Sequence, residues 1–267
     1  MLRECLLFLL LVILVFHVYA KSKDGPFVFD DLPNIANNPH IRISSLDWQS
    51  LGQAAFESPI PTRPVANISF ALNYYFTQLD PKSFRLVNVL IHLGNGFLLL
   101  FFLKATLRTP ALAGLAEKKL NRFMSYAAAT IWIVNPVHTQ SVSYIVQRMN
   151  SMAVLFALLA FVLYIHARLS RNRTRRRLLL AGGLSAFLLA LGSKENTITL
   201  PFFVFLYEWY FFRDLDLQWL KKNSWWPLGM ALILAGVALL YLEFTPMVKA
   251  LSEYQAASLT LAQRFMT

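Results

Sequence analysis

Cysteine is nearly absent. Cys5 is the only one in 267 residues, so no disulfide can close within the chain, and the count says nothing of redox compartment. Charge is scarce as well. Asp, Glu, Lys and Arg make up 15% of the residues, where a soluble domain of this size carries about 25%. Acidic residues are the rarer sign, 14 against 25 basic, which leaves a net charge of +11. No repeat of about 34 residues is visible, and no series of alternating strands of about 10 residues that would announce a membrane barrel. No metal site stands out either. His92 and His138 lack a close second ligand in sequence, and Asp30-Asp31 alone would hold a cation weakly. The chain therefore carries no argument for a metal or other cofactor, although a divalent ion is not incompatible with it.

What is abundant is apolar: 57% of the residues, with a mean hydropathy of +0.48. It falls in blocks, at 2–20, 84–107, 123–134, 152–167, 178–191, 198–212 and 225–244. Most approach the length needed to cross a hydrocarbon core of about 30 Å. In lipid only a helix satisfies its own backbone, so each block predicts a helix. The fold class expected is all-α, an integral membrane protein of about seven transmembrane helices. The first block reads as an uncleaved span. Val18-Tyr19-Ala20 at its end is also a tolerable signal cleavage site.

The basic residues do not point to nucleic acid. Their longest run, 168–177, sits between two apolar blocks, and no aromatic-basic groove pattern accompanies it. With the N-terminus inside, three inner loops collect Lys104, Arg108, Lys118, Lys119 and Arg122, then the 168–177 run, then Arg213, Lys221 and Lys222. The short outer loops hold only Arg148 and Lys194, an asymmetry that fixes orientation.

The first outer loop, 21–83, is punctuated by Pro26, Pro33, Pro39, Pro59, Pro61, Pro64 and Pro81. Between them lie two amphipathic candidates, 43–56 and 65–79. Such helices lie in the membrane interface or pack on the spans.

Polar groups inside a span cost several kcal/mol unless paired or hydrated, so their positions are informative. Arg85, Asn88, His92 and Asn95 fall within an arc of roughly 80° and form a stripe about 15 Å long. It reads either as the lining of a hydrated cavity or as helix–helix glue. The third block ends at Asn135-Pro136-Val137-His138, where proline should break the helix, free carbonyls and expose His138. Arg148 follows on the same side, as phosphate partner or as interface anchor. The tight turn Gly192-Ser193-Lys194-Glu195-Asn196 carries a Lys-Glu pair that is partly structural by default. Glu208 reads as an interface residue. Asp30-Asp31, after Phe27-Val28-Phe29, is either a turn or cap, or a carboxylate pair with one pKa raised by apolar surroundings, which suits a general base.

Taken in order, several short motifs resemble one family. They are Phe27-Val28-Phe29-Asp30-Asp31 with Ile35 and Asn38, Arg63-Pro64, the segment 88–92, Asn135-Pro136-Val137-His138-Thr139, Tyr144-Ile145-Val146-Gln147-Arg148 and Ser193-Lys194-Glu195-Asn196. The family is the transmembrane, tetratricopeptide-repeat protein O-mannosyltransferases with their bacterial relatives, within the GT-C class of multi-spanning glycosyltransferases. The resemblance covers nearly the whole chain. It implies an outward-facing cavity under the first loop and a polyprenyl- or dolichyl-phosphate sugar donor drawn from the bilayer. A sugar, mannose by family, would pass to Ser or Thr hydroxyls of a protein. Asp30 or Asp31 would be the base, with Arg63, His92, His138, Arg148, Lys194 and Glu195 on the donor side and Arg85, Asn88 and Asn95 lining the cavity. The reaction would be metal-independent. The site would face the periplasm from a bacterial inner membrane, or the lumen from the endoplasmic reticulum. Because such relatives continue with further spans and tetratricopeptide repeats, residues 1–267 read as the N-terminal membrane part, a truncated product or a fragment. Two other functions stay open on the residues alone: a transporter, flippase or binder of lipid-linked sugars, and a non-catalytic membrane scaffold.

Overall fold

The computed structural model describes residues 2–114 and 117–226, and beyond them only 228, 229, 232 and 236. It divides into two units, 1–214 and 215–267. In the second, helix α10 (Leu217–Asn223) is capped by Asp216, whose carboxylate accepts the Gln218 N–H at 2.8 Å.

Among the described residues of the first unit every regular element is helical: α1 (Leu2–Tyr19), α2 (Trp48–Phe56), α3 (Pro64–Thr77), α4 (Pro81–Thr106), α5 (Lys118–Ile133), α6 (Thr139–Ser143), α7 (Arg148–Leu169), α8 (Arg173–Leu191) and α9 (Leu200–Tyr207). The local signals set these limits. Asp47 caps α2 through the Ser50 N–H, and Asp80 caps α4 through the N–H groups of Lys82 and Ser83. Pro64 and Pro81 occupy first helical positions, where a missing N–H costs nothing. The loop helices expected at 43–56 and 65–79 are α2 and α3. The apolar blocks up to 212 each form a helix. Two described stretches, Pro81–Thr106 and Ile145–Leu169, are long and apolar enough to cross a bilayer; the apolar part of α1, Leu9–Tyr19, is shorter. The block at 225–244 lies mostly outside the described residues.

Contacts fix how the helices run. The start of α4 meets the segment before α7, through Asn88 and the carbonyls of Val142 and Ile145. Its later part meets the later part of α7, Phe102 against Phe161 and Ala105 beside Ile165. These two helices are therefore parallel. α5 is antiparallel to α4: its C-terminal Ile133 lies on Gly96, and its Tyr126 meets Lys104. α8 returns along α7 as a hairpin. One end of this bundle thus gathers the starts of α4 and α7 and the ends of α5 and α8. The other gathers the basic ends 104–122 and 168–177. Alternating loops of the sequence sort to opposite ends because each helix reverses the chain.

The first loop forms its own layer at the first end. Ile35, Ile41, Ala54, Phe70 and Phe84 are fully buried there with Ile145 and Met149. At the opposite end Glu208, at the start of a π-helical turn, is nearly buried. It accepts Tyr164 Oη at 2.6 Å, Arg168 Nε and Nη2 at 2.8 and 2.7 Å, and Arg213 Nε at 3.1 Å. The bidentate Arg168 fork ties α7 to the segment after α9.

Close approach of α4 and α5 depends on Gly96. A Cβ there would run into the Ile133 side chain. We expect Gly96→Val to destabilise the purified protein by about 1–3 kcal/mol through overpacking. Thermal unfolding would measure it, and adding Ile133→Ala should recover part of the loss; no loss in the single variant would contradict this packing.

Candidate functional site

The first loop is tied down beside α4 and the turn before α7. Arg85 donates to the carbonyls of Gly25, Pro26 (2.6 Å) and Ser143 (3.1 Å). Asp31 is fully buried, and its carboxylate accepts the N–H groups of Val28 at 3.1 Å and Val146 at 2.7 Å. Burial raises its pKa, while those two amides and the Arg85 charge oppose the shift. Asp31 closes the loop on itself and on the 144–146 turn.

Asp30 does the opposite. Its backbone is held, the N–H donating to Tyr144 Oη at 2.9 Å and the carbonyl accepting Asn34 Nδ2 at 2.8 Å. Its side chain is exposed to a cavity of about 420 Å³. Phe29, just before it, sits at φ 47°, a left-handed conformation that a bulky residue adopts only under constraint. The adjacent carboxylates are thereby separated, one buried in the loop's own hydrogen bonds and one lining open space.

The same cavity is lined by Arg63, Gln147, Met149 and Lys194. Arg63 precedes α3. It holds Glu195 through Nε at 3.1 Å to both oxygens and Nη2 at 3.0 Å, and its Nη1 reaches Met149 Sδ at 3.3 Å. Thr62 also donates to Glu195. The Val65 N–H donates to the Gly192 carbonyl at 2.9 Å, joining the start of α3 to the 192–196 turn. Gly192 permits that approach, since a Cβ there would stand 2.6 Å from Val65 Cγ2. Lys194 donates to Asn150, and Asn150 to Gln147. Burial and then the nearby Arg63 charge lower the Lys194 pKa, with Glu195 partly restoring it. For Glu195 burial raises the pKa, but the bonds from Arg63 and Thr62 outweigh it and the carboxylate is held low. The cavity therefore presents a carboxylate on the first loop, a guanidinium already neutralised by Glu195, and an ammonium.

The inner part of the α4 polar stripe is engaged by backbone carbonyls. Asn88 donates to the carbonyls of Val142 and Ile145 at 3.2 Å, Asn95 to that of Ser151 at 3.0 Å, and His92 Nε2 lies 2.8 Å from the Ile133 carbonyl. All three are buried, as is Arg85, although part of Arg85 borders a separate groove beside α1. Of the two readings of the stripe, inter-element glue is the one the contacts describe. The break at Pro136 ends α5 at Ile133 as expected, but the freed Ile133 carbonyl meets His92 and His138 is not laid bare. His138 is half-buried, its ring 4.3 Å from Trp132 and 5.2 Å from His92. Burial lowers its pKa, which favours the neutral ring. Neither histidine lines the cavity.

Arg148 is fully buried. Nε donates to Asn88 Oδ1 at 2.8 Å, Nη1 to the Ser69 carbonyl at 3.1 Å, and Nη2 to Asn73 Oδ1 at 2.7 Å and the Phe84 carbonyl at 2.8 Å. The rings of Phe70 and Phe84 lie 4.7 and 5.3 Å from its Cζ. Its fork is occupied by α3 and α4, which leaves it no face for a donor phosphate. Gln147, Asn150 and Tyr144 build the site without having been singled out. The 144–148 motif contained two of them, but amide and phenol side chains at unremarkable spacing carry no signal of their own. Among the described residues no group of three or more His, Cys, Asp or Glu could hold a metal ion.

An Arg148→Lys substitution should cost at least about 3 kcal/mol, because one ammonium cannot serve four acceptors laid out for a planar fork. The check is the unfolding midpoint of the purified protein. Unchanged stability would mean that Arg148 is not structural.

No family model matches the chain, and no solved structure does. Curated relatives are found. The chain is 33% identical over 154 residues to protein O-mannosyl-transferase TMTC1 of Mus musculus, covering 55% of the chain and 15% of that protein. It is 30% identical over 169 residues to protein O-mannosyl-transferase TMTC4 of Homo sapiens, covering 58% of the chain and 22% of the relative. With protein O-mannosyl-transferase TMTC3 of Mus musculus the match extends over 251 residues at 27% identity, 88% of the chain and 26% of the relative. The chain thus spans a quarter or less of the first two relatives' length.

Proposed function

We propose that this chain, a relative of the TMTC protein O-mannosyl-transferases over the matched part, carries the donor and base side of a membrane glycosyltransferase. The sugar moved is mannose, as the relatives' names say of them, and the acceptor is a Ser or Thr hydroxyl of a protein. The donor is a polyprenyl- or dolichyl-phosphate sugar. The helices α1, α4, α5, α7, α8 and α9 cross the bilayer in a GT-C-like arrangement, and the first loop, with α2 and α3, covers the site on the extracytoplasmic side.

The observation that carries this reading is the single cavity shared by Asp30, Arg63 and Lys194, which reach it from three separate segments. In the proposed step the acceptor hydroxyl oxygen attacks the anomeric carbon of the donor sugar. Its proton passes to the Asp30 carboxylate as the bond from that carbon to the phosphate oxygen breaks. The departing lipid phosphate gains charge, and Lys194 with Arg63 lies where that charge develops. Glu195 holds the Arg63 fork in place and keeps the cationic wall from accumulating uncompensated charge. Transport is not favoured, since the α4 stripe that would suggest a path is engaged by backbone carbonyls.

The test is transfer of labelled mannose from a polyprenyl-phosphate donor to a Ser/Thr peptide by the full-length protein. Asp30→Asn should lower kcat by roughly 10²–10⁴-fold with unfolding unchanged. Asp31→Asn should instead cost about 1–3 kcal/mol of stability, because one buried N–H loses its acceptor. Wild-type turnover in Asp30→Asn would remove the base from this reading.

A second prediction concerns pH. A lysine with a lowered pKa loses its charge at a pH below the ordinary lysine range of about 10.4. Donor KM should therefore rise with pH in wild type before ordinary lysines titrate, and stay flat in Lys194→Arg. A wild-type KM flat through that range would show that Lys194 does not meet the phosphate.

A further inference from the structure

The cavity beside Asp30 has a polar side chain that the transfer chemistry above does not use. Gln147 lines it, at the end of the 3-10 turn before α7. Its backbone is fixed. The Gln147 N–H donates to the Tyr144 carbonyl at 3.2 Å, and its neighbours Val146 and Arg148 are buried. The chemistry of the wall at this point depends on which end of the Gln147 carboxamide faces the cavity.

A row of three side chains decides that. Lys194 donates to Asn150, and Asn150 to Gln147. An ammonium has donors and no acceptor, so Asn150 must turn its Oδ1 toward Lys194. Its Nδ2 then points at Gln147, which can answer only with Oε1. The Gln147 amino group is left over, and no described residue accepts from it. Reversing the Gln147 amide would set two amino groups against each other and lose that hydrogen bond. The charge of Lys194 thus orients two neutral amides in turn.

Between Gln147 and Lys194 the wall therefore offers N–H donors only: the Gln147 amino group and the ammonium protons that Asn150 does not take. A sugar hydroxyl both donates and accepts, whereas the free oxygens of a phosphate diester only accept. The wall suits the phosphate better. α7 also begins here, and a helix N-terminus adds to the preference for negative charge.

We propose that Gln147 binds the phosphate of the sugar donor, its amino group donating to a non-bridging oxygen beside Lys194. This rests on the transfer reading, which brings that phosphate to Lys194. Gln147 acts by binding, and no bond forms or breaks at it.

The experiment measures binding to the full-length protein in uncharged detergent. The probes are a short-chain polyprenyl-phosphate mannose and the same polyprenyl phosphate without sugar. Gln147→Met removes the amino group at nearly equal length and should weaken both by about tenfold. Gln147→Glu keeps an oxygen for Asn150 but turns a second one to the cavity, and should weaken both at least as much. Unfolding midpoints equal to wild type establish that the variants are folded. Gln147→Glu binding as tightly as wild type would show that an oxygen already faced the cavity, which overturns the inference. Unchanged binding in Gln147→Met does the same. Weakening confined to the mannosylated lipid puts Gln147 on the sugar and overturns the phosphate assignment. Lys194→Met separates the inference from the reading beneath it. Binding weakened by Lys194→Met but by neither Gln147 variant sinks the inference alone. Binding unmoved by Lys194→Met, or wild-type binding of neither probe, removes the phosphate site of the transfer reading and the inference with it.

Discussion

The guanidinium of Arg148 is the group on which the first unit hangs. It is a fully buried cation whose described partners are all neutral: two amide oxygens and two backbone carbonyls, drawn from α3 and α4. Removing a charge from water costs several kcal/mol, and only a complete set of acceptors offsets it. Those acceptors exist only when the loop helix α3, the start of α4 and the start of α7 are in register. The interaction therefore selects one arrangement of three segments far apart in the chain. Asn88 extends it, since the same side chain that accepts from Arg148 donates to Val142 and Ile145.

From that junction the cavity follows. Met149 and Gln147 flank Arg148 in sequence, so fixing one places the other two on the cavity wall. The 144–146 turn in turn receives the first loop, Tyr144 holding the Asp30 amide and Val146 donating to Asp31. The 192–196 turn is attached through α3, by the Val65 to Gly192 hydrogen bond and the Arg63–Glu195 pair. Each polar group that reaches the cavity is thus supported by another whose own needs are met elsewhere, which is the general condition for a preorganised site.

The two ends of the bundle differ in chemistry for a related reason. At the cavity end Arg63 is matched by Glu195, and Arg85 by carbonyls near the Asp31 charge. At the far end Glu208 answers Arg168 and Arg213.

Much of this was legible in the sequence. Apolar blocks, loop prolines and the break before Pro136 located the helices to within about a turn and a half, because these signals act over one or two turns. The sorting of basic and polar loops to opposite ends was also readable, since it depends only on counting reversals. What the sequence left open was which polar residue does what. Asp30 and Asp31 are chemically identical neighbours, and only the Val28 and Val146 amides, one of them 115 positions away, bury the second and leave the first on the cavity. Arg148 and Lys194 both read as cations on one side, yet four distant acceptors enclose one while the other stands at an opening. His92 and the α4 stripe could equally have faced water. The tertiary structure decided these placements because burial and hydrogen-bond satisfaction depend on segments brought together by the fold, which local spacing does not encode.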